Sequence, residues 1–229
     1  MKKRPTISTY LLLTICLSLL TTSCNKNDEN DPSVIKDGDG NIYQTVTIGT
    51  RIWLTENLKT TKYNDGNPIP LVADNNVWIT STTAAYCWYD NEISNENPYG
   101  ALYNWNAVNT GRLCPSGWHV ASDTEWTSLF SYLGGESVAG GKLKESGTIH
   151  WVSPNTGATN ESGFTALPGG YRYELDGVSY YLGIGGYWWS SSGESSTKAW
   201  RISLYNDYAS VFKTSQNKIQ GCSVRCIKG

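Results

Sequence analysis

Apolar and polar positions along the chain follow two different periods. Ile42, Gln44, Val46 and Ile48 alternate with Tyr43, Thr45 and Thr47, and Gly49-Thr50 turns this run into Arg51-Ile-Trp-Leu54, so the folded part opens with two strands. Helical spacing appears at Trp126, Leu129, Phe130 and Leu133. Ser122 stands before that run with Glu125 three residues later, the signature of a capping box, and Gly134 closes it. A second helix is expected over Tyr99 to Val108, and Gly141 to Ser146 adds a helical turn.

Beyond Gly163 the pattern is strand and turn. Strands are expected at Phe164 to Leu167, Gly170 to Tyr173, Ser179 to Leu182, Tyr187 to Ser190, Trp200 to Tyr205, Tyr208 to Phe212 and Cys222 to Ile227. Trp200, Ile202 and Leu204 alternate with Arg201 and Ser203, as in a strand with one buried face. The runs are short, punctuated by Gly, and lack helical spacers, so this half reads as antiparallel and the chain as α+β. No internal repeat recurs at a fixed period.

Composition narrows the scaffold further. Fifteen Tyr, ten Trp and 23 Gly stand beside one Met and only 17% charged residues, unlike the make-up of helical bundles or coiled coils. A length of 229 residues suits one domain. Asp37-Gly-Asp-Gly-Asn41 imitates the start of a calcium loop, but Ile42 stands where glycine is needed and Ile48 where a bidentate acid is needed, so it reads as a hairpin turn.

The first 23 residues carry an export signal: Lys2, Lys3 and Arg4, the apolar run Tyr10 to Leu20, then small residues up to Cys24. The run is short of the roughly 20 residues that cross a bilayer. Thr21-Thr22-Ser23-Cys24 resembles a bacterial lipoprotein signal, which makes Cys24 the lipidation site and the membrane a partner through that anchor. Residues 25–32 are polar without an apolar residue and read as part of a tether. They resemble the tag that sends Bacteroidetes-type lipoproteins to the outer face of the outer membrane. The expected organisation is signal 1–23, flexible tether 24–36 and a domain over 37–229. Loss of a leader with three basic and no acidic residues takes the formal charge from -2 to -5, which argues against nucleic acid as a partner.

Cys16 leaves with the leader, so four cysteines remain beyond the anchor: Cys87, Cys114, Cys222 and Cys226. An even set in an exported chain suggests two disulfides. Cys222 and Cys226 on one extended strand are roughly 13 Å apart, beyond the reach of a disulfide, so each must pair with Cys87 or Cys114 and two arrangements stay open. No CxxC or Cys/His cluster supports a metal site.

Seven ordered blocks carry a family resemblance: Tyr86-Cys-Trp-Tyr-Asp90, Tyr99-Gly-Ala-Leu-Tyr-Asn-Trp105, Cys114-Pro-Ser-Gly-Trp-His119, Asp123-Thr-Glu-Trp126, Gly163-Phe-Thr-Ala-Leu-Pro-Gly-Gly-Tyr-Arg172, Gly186-Tyr-Trp-Trp-Ser-Ser191 and Ser223-Val-Arg-Cys226. Together they resemble the Fibrobacter succinogenes major paralogous domain over nearly all of residues 37 to 228. The resemblance implies an exported surface protein, a C-type-lectin-like α+β fold and no established biochemical activity. Ala121 departs from the pattern where Pro is expected, and Cys222 where an aromatic is usual. The second departure implies that Cys114 to Cys226 is the family bridge and Cys87 to Cys222 one that this chain completes.

Chemistry for catalysis is sparse, so no catalytic residue and no cofactor is expected. Only His119 and His150 are available, and neither belongs to a zinc-binding pair or a nucleophile elbow. Cys222 and Cys226 invite comparison with the two C-terminal cysteines of formylglycine-generating enzymes, an oxidase alternative weakened by the ready partners Cys87 and Cys114. A binding role rests on aromatics. Tyr187-Trp188-Trp189 places adjacent large rings on a strand, whose neighbours point to opposite faces, so one of Trp188 and Trp189 faces outward or into a loop groove unless the Gly-rich loops of the fold cover both, and cover of both is the favoured reading. Tyr205-Asn206-Asp207 resembles the Trp-Asn-Asp calcium and sugar motif of C-type lectins, though no Glu-Pro-Asn block accompanies it and a turn is the plainer use. The sequence therefore suggests a non-catalytic surface module that binds a polysaccharide or a surface protein; a structural component of the cell surface is the alternative.

Overall fold

The computed structural model describes residues 34–229, so the expected signal, Cys24 and the stretch behind it lie outside the described residues. Among the described residues no helix is long and apolar enough to cross a membrane. In chain order the elements are β1 (Ile35–Lys36), β2 (Ile42–Tyr43), β3 (Thr45–Ile48), β4 (Arg51–Leu54), α1 (Asn75–Ile79), β5 (Tyr86–Cys87), two 3₁₀ turns, α2 (Glu96–Tyr99), β6 (Leu102–Tyr103), α3 (Trp105–Val108), β7 (Trp118–Val120), α4 (Asp123–Tyr132), α5 (Glu136–Leu143), β8 (Gly169–Arg172), β9 (Ser179–Leu182), β10 (Gly185–Gly193), β11 (Lys198–Tyr205), β12 (Phe212–Asn217) and β13 (Cys226–Lys228).

Two sheets carry the architecture. One has the order β3-β4-β13-β7, the other β12-β11-β10-β8-β9. The final strand β13 lies between β4 and β7, with Ile227 opposite both Trp53 and His119, so the two ends of the domain are hydrogen-bonded to each other. The Cys114–Cys226 disulfide, with Cα atoms 6.0 Å apart, locks this closure across a separation of 112 residues. By the chain-entropy estimate such a link contributes about 4–5 kcal/mol.

Helix α4 forms where the capping box placed it. The Ser122 hydroxyl accepts the Glu125 N–H, and the Glu125 carboxylate accepts the Ser122 N–H at 2.9 Å. Its apolar face, Trp126, Leu129 and Phe130, is buried against Trp53, Phe164, Trp188, Ile202 and Leu204. The rings of Trp53 and Trp126 lie 5.1 Å apart. Each fully buried side chain of this size stabilises the fold by about 1.5–3 kcal/mol.

Much of the remaining chain is loop, and buried cations satisfy its carbonyls. Arg172 donates to the carbonyls of Val72, Ala73 and Gly177 and to Asn75 Oδ1, and its guanidinium stacks on Trp78 at 4.5 Å. Arg225 does the same for Leu54 and Phe164. Irregular backbone cannot pair with itself, and an orphaned buried carbonyl is costly; a planar fork with five donors answers several at once.

Several expectations need correction. The tether was expected to run to residue 36, but Ile35 and Lys36 pair with Tyr43 and Ile42 as β1, and Ile35 packs on the core. The single opening strand is broken at Gln44, which lets Tyr43 turn inward while Ile42 is exposed. Tyr99 to Val108 is not one helix. A Cβ at Gly100 would lie 2.8 Å from Leu58 O, and Tyr103 pairs with Tyr86, so this stretch bends past the backbone and becomes strand β6 before α3. The helix near Gly141 starts at Glu136, because Gly140 and Gly141 let it approach the 209–210 and 157 backbones closely. Tyr208 to Val211 is irregular and only Phe212 of that expected strand lies in β12, while of the last expected strand only Cys226 and Ile227 are regular. The C-terminal sheet is antiparallel except for β8 and β10, which pair in parallel through Gly170 and Gly186.

The second bridge is also corrected: Cys87 and Cys222 are free and buried. Tyr86 opposes Tyr103 and Tyr103 opposes Cys222, so these three side chains share one face and one cluster. Cys87 opposes Leu102 and joins a different cluster with Trp78 and Tyr89. The pleat therefore turns the two sulfurs to opposite sides.

Candidate functional site

The register of the five-stranded sheet decides which aromatics can meet a ligand. Trp188 opposes Ile202, and both face α4, whereas Tyr187 opposes Ser203, which opposes Phe212 on the other face. Arg201 and Tyr205 lie two residues to either side of Ser203 and share that second face.

On this second face the rings form a continuous chain. Tyr171 lies 4.8 Å from Tyr187, Tyr187 lies 5.7 Å from Tyr205, and Tyr205 lies 5.4 Å from Phe212, all edge to face. Tyr208 closes the far end against Phe212 at 5.3 Å. At the near end Tyr171 meets Tyr181 in a stacked pair at 5.9 Å and Tyr180 at 6.2 Å. Neighbours on a regular strand point to opposite faces, yet Tyr180 and Tyr181 both reach Tyr171. The backbone explains this: Tyr181 has φ 68° and Gly170, across the ladder, has φ 65°. A bulky residue in the left-handed region costs about 1–2 kcal/mol, and such strain concentrates at functional positions.

Tyr187 is buried, Tyr171, Tyr205 and Phe212 are half-buried, and the outer rings are open. Tyr187 is 2% exposed, while Tyr180, Tyr181 and Tyr208 are 37%, 46% and 51% exposed. Burial pushes the Tyr187 phenol far above its ordinary value, and it pushes Tyr171 up to about 12. Beneath the rings, the Arg201 guanidinium lies 4.7 Å from the Tyr187 centroid and 5.6 Å from that of Tyr171. Arg201 donates to Gln220, which donates to Glu174 at 2.9 Å, so the charge is positioned through an amide relay. Arg201 Nε and Ser203 Oγ are buried without a hydrogen-bond partner among the described residues.

The residues expected at a site fall into three groups. Tyr187 and Tyr205 belong to the tyrosine face. Trp188 and Trp189 do not, which corrects their place among the candidate ligand residues: both are buried, as the reading in which loops cover them has it, with Trp188 Nε1 donating to Asn57 Oδ1 at 2.8 Å and Trp189 Nε1 to the Tyr103 carbonyl at 2.8 Å. A buried indole needs an acceptor, and both have found one inside. Asn206 and Asp207 form a turn, in which Asn206 Nδ2 donates to the Ser153 carbonyl. His119 binds Glu125 at 2.9 Å on the β7–α4 corner, next to the capping box. Among the described residues no group of three or more His, Cys, Asp or Glu could hold a metal ion.

Tyr171, Tyr180, Tyr181, Tyr208 and Arg201 were missed as site residues, as was Tyr173, whose ring lies 6.2 Å from Tyr171 and 6.1 Å from Tyr180. Tyr171 and Tyr173 at i and i+2 were a legible signal of one face; the meeting of Tyr180 with Tyr181 was not, since it depends on a backbone conformation that tyrosine rarely adopts. A separate groove of about 400 Å³ lies between the β3–β4 turn and α4, lined by Arg51, Trp53, Leu129 and the exposed Tyr132.

Comparison with known proteins agrees with the motif blocks. The family model described as Fibrobacter succinogenes major domain matches residues 46–228. No curated protein and no solved structure matches.

Proposed function

The chain belongs to the Fibrobacter succinogenes major domain family, and we propose that it is a non-catalytic binding module of the cell surface whose tyrosine face takes glycans. The supporting observation is the run of exposed rings at Tyr180, Tyr181 and Tyr208 continuous with buried Tyr187. Sugars present an apolar C–H face ringed by hydroxyls, and flat aromatic rings held rigidly from below meet that face at little entropic cost. Phenol hydroxyls at the ring tips supply donors and acceptors for the sugar hydroxyls.

The same proposal includes a C-type-lectin-like fold, supported by a terminal strand that returns between β4 and β7 and is closed by the Cys114–Cys226 bridge. It also includes lipidation at Cys24 and display on the outer membrane, supported by the signal-like first 23 residues. An oxidase of the formylglycine-generating kind draws little support, because Cys226 is bonded to Cys114 and Cys222 is a buried thiol pushed up to about 12 by desolvation. A glycan array probed with and without calcium, set beside a pull-down of surface proteins, tests the reading. Retention of polysaccharide that fails for Tyr181→Ala supports it; capture of a surface protein without any glycan signal overturns it in favour of a structural role.

A further inference from the structure

The turn that carries Tyr205 and Tyr208 surrounds a buried positive charge. Lys144, at the C-cap of α5, has no exposed surface, and its ammonium donates to three backbone carbonyls: Thr156 at 3.0 Å, Tyr205 at 2.9 Å and Tyr208 at 2.9 Å. The ring of Trp151 lies 5.3 Å away on another side. No carboxylate lies within ion-pair distance of Lys144 among the described residues.

Three donors meet three acceptors, so the ammonium is fully satisfied by main chain. A cradle of carbonyl oxygens is also the chemistry by which proteins hold a hard metal cation, but calcium draws its oxygens to about 2.3–2.6 Å. These three lie at hydrogen-bond distance from nitrogen, the spacing that suits an ammonium. The cradle sits at Tyr205-Asn206-Asp207, where the sequence resembles a calcium and sugar motif. The lysine also ties that turn to α5, whose Gly141 N–H donates to the Ala209 carbonyl at 2.8 Å and whose Glu136 carbonyl accepts the Val211 N–H at 2.8 Å.

We infer that Lys144 is a tethered cation that takes the place of a metal ion under the 205–208 turn, and that it is a positioning residue which sets Tyr205 and Tyr208 and frees ligand binding from calcium. The part concerning ligand rests on the glycan reading of the tyrosine face; the part concerning the turn does not.

The test compares the purified protein with Lys144→Met and Lys144→Ala, by backbone amide NMR of residues 205–208, thermal unfolding and retention on polysaccharide. Lys144→Met keeps the stem and removes the donors. It should shift the 205–208 amides, lower the melting temperature by about 5–10 °C and weaken retention about tenfold. Added propylammonium should restore the Lys144→Ala protein while propanol at the same concentration does not, which separates the lost ammonium from the lost packing. Calcium and EDTA should leave the wild type unchanged in all three measurements. A wild type that responds to calcium or EDTA, 205–208 amides that stay in place in Lys144→Met, or a Lys144→Ala protein that no amine restores overturns the inference. If the amides move and the amine restores them while the wild type retains no polysaccharide, the tethered cation stands and the glycan reading falls.

Discussion

Trp188 donates its indole N–H to Asn57 Oδ1 at 2.8 Å, and the same oxygen accepts Arg225 Nη2 at 3.1 Å. Asn57 in turn donates to the Tyr99 carbonyl and to Ser223 Oγ. One amide thus joins the β10 strand, the C-terminal segment and the loop after β4. Asn57→Ala leaves a buried indole N–H and a buried guanidinium N–H without an acceptor and should cost about 2–4 kcal/mol, read by urea unfolding. Trp188→Phe, which removes only the donor and part of the ring, should cost less.

Reduction separates the two pairs of cysteines. Burial pushes the Cys87 thiol up to about 11 and the Cys222 thiol up to about 12, so neither forms a thiolate near neutral pH. Alkylation of the native protein should spare both, alkylation after denaturation without reductant should mark both, and peptide mapping should recover Cys114 cross-linked to Cys226. A peptide joining Cys87 to Cys222 would contradict the register that turns them apart. Cys114→Ser with Cys226→Ser should cost about 2–5 kcal/mol.

Alkaline pH should unfold the protein through its buried phenols. Burial raises Tyr43, Tyr103 and Tyr187 above the ordinary tyrosine value, so above about pH 10 the native state holds protons that the unfolded chain releases. Stability from these groups is fully present below that pH and falls as pH rises beyond it. Absorbance of tyrosinate and loss of ellipticity should therefore rise together; full ionisation of these phenols in a folded protein would contradict the burial.

Strain at Tyr181 makes a distinguishing prediction. Tyr181→Gly removes the left-handed penalty but adds unfolded-chain entropy and loses the stack on Tyr171, so stability should change by less than about 1 kcal/mol. Glycan retention should nevertheless fall, because the exposed ring is gone. A large loss of stability with retention unchanged would make Tyr181 a structural residue.

What the amino-acid sequence revealed depended on whether local signals decided the structure. Ser122, Glu125 and the Trp126 to Leu133 spacing are local, and α4 matches them. Ser179 to Leu182 is bounded by turn residues and is strand as expected. Tyr99 to Val108 has helical composition, but a close approach at Gly100 and pairing with Tyr86, far away in sequence, override it. Pleat alternation at adjacent Trp188 and Trp189 left open whether one ring reaches a ligand or both are covered. Alternation holds, yet both faces of β10 are covered at that point, since one packs on α4 and the other on Tyr103 and its neighbours. Tyr187 and Tyr205 were legible as ring-bearing positions; Lys144 was not, because its carbonyl partners come from two loops whose meeting no spacing records.

Affinity electrophoresis in gels cast with a series of polysaccharides tests the tyrosine platform most directly, with wild type beside a Tyr181→Ala/Tyr208→Ala double variant and a Tyr132→Ala variant in the groove at α4. The platform predicts retardation of the wild type by at least one polysaccharide, loss of retardation in the double variant with its circular dichroism and melting temperature preserved, and no effect of Tyr132→Ala. Equal retardation of wild type and double variant, or loss only in Tyr132→Ala, would contradict it.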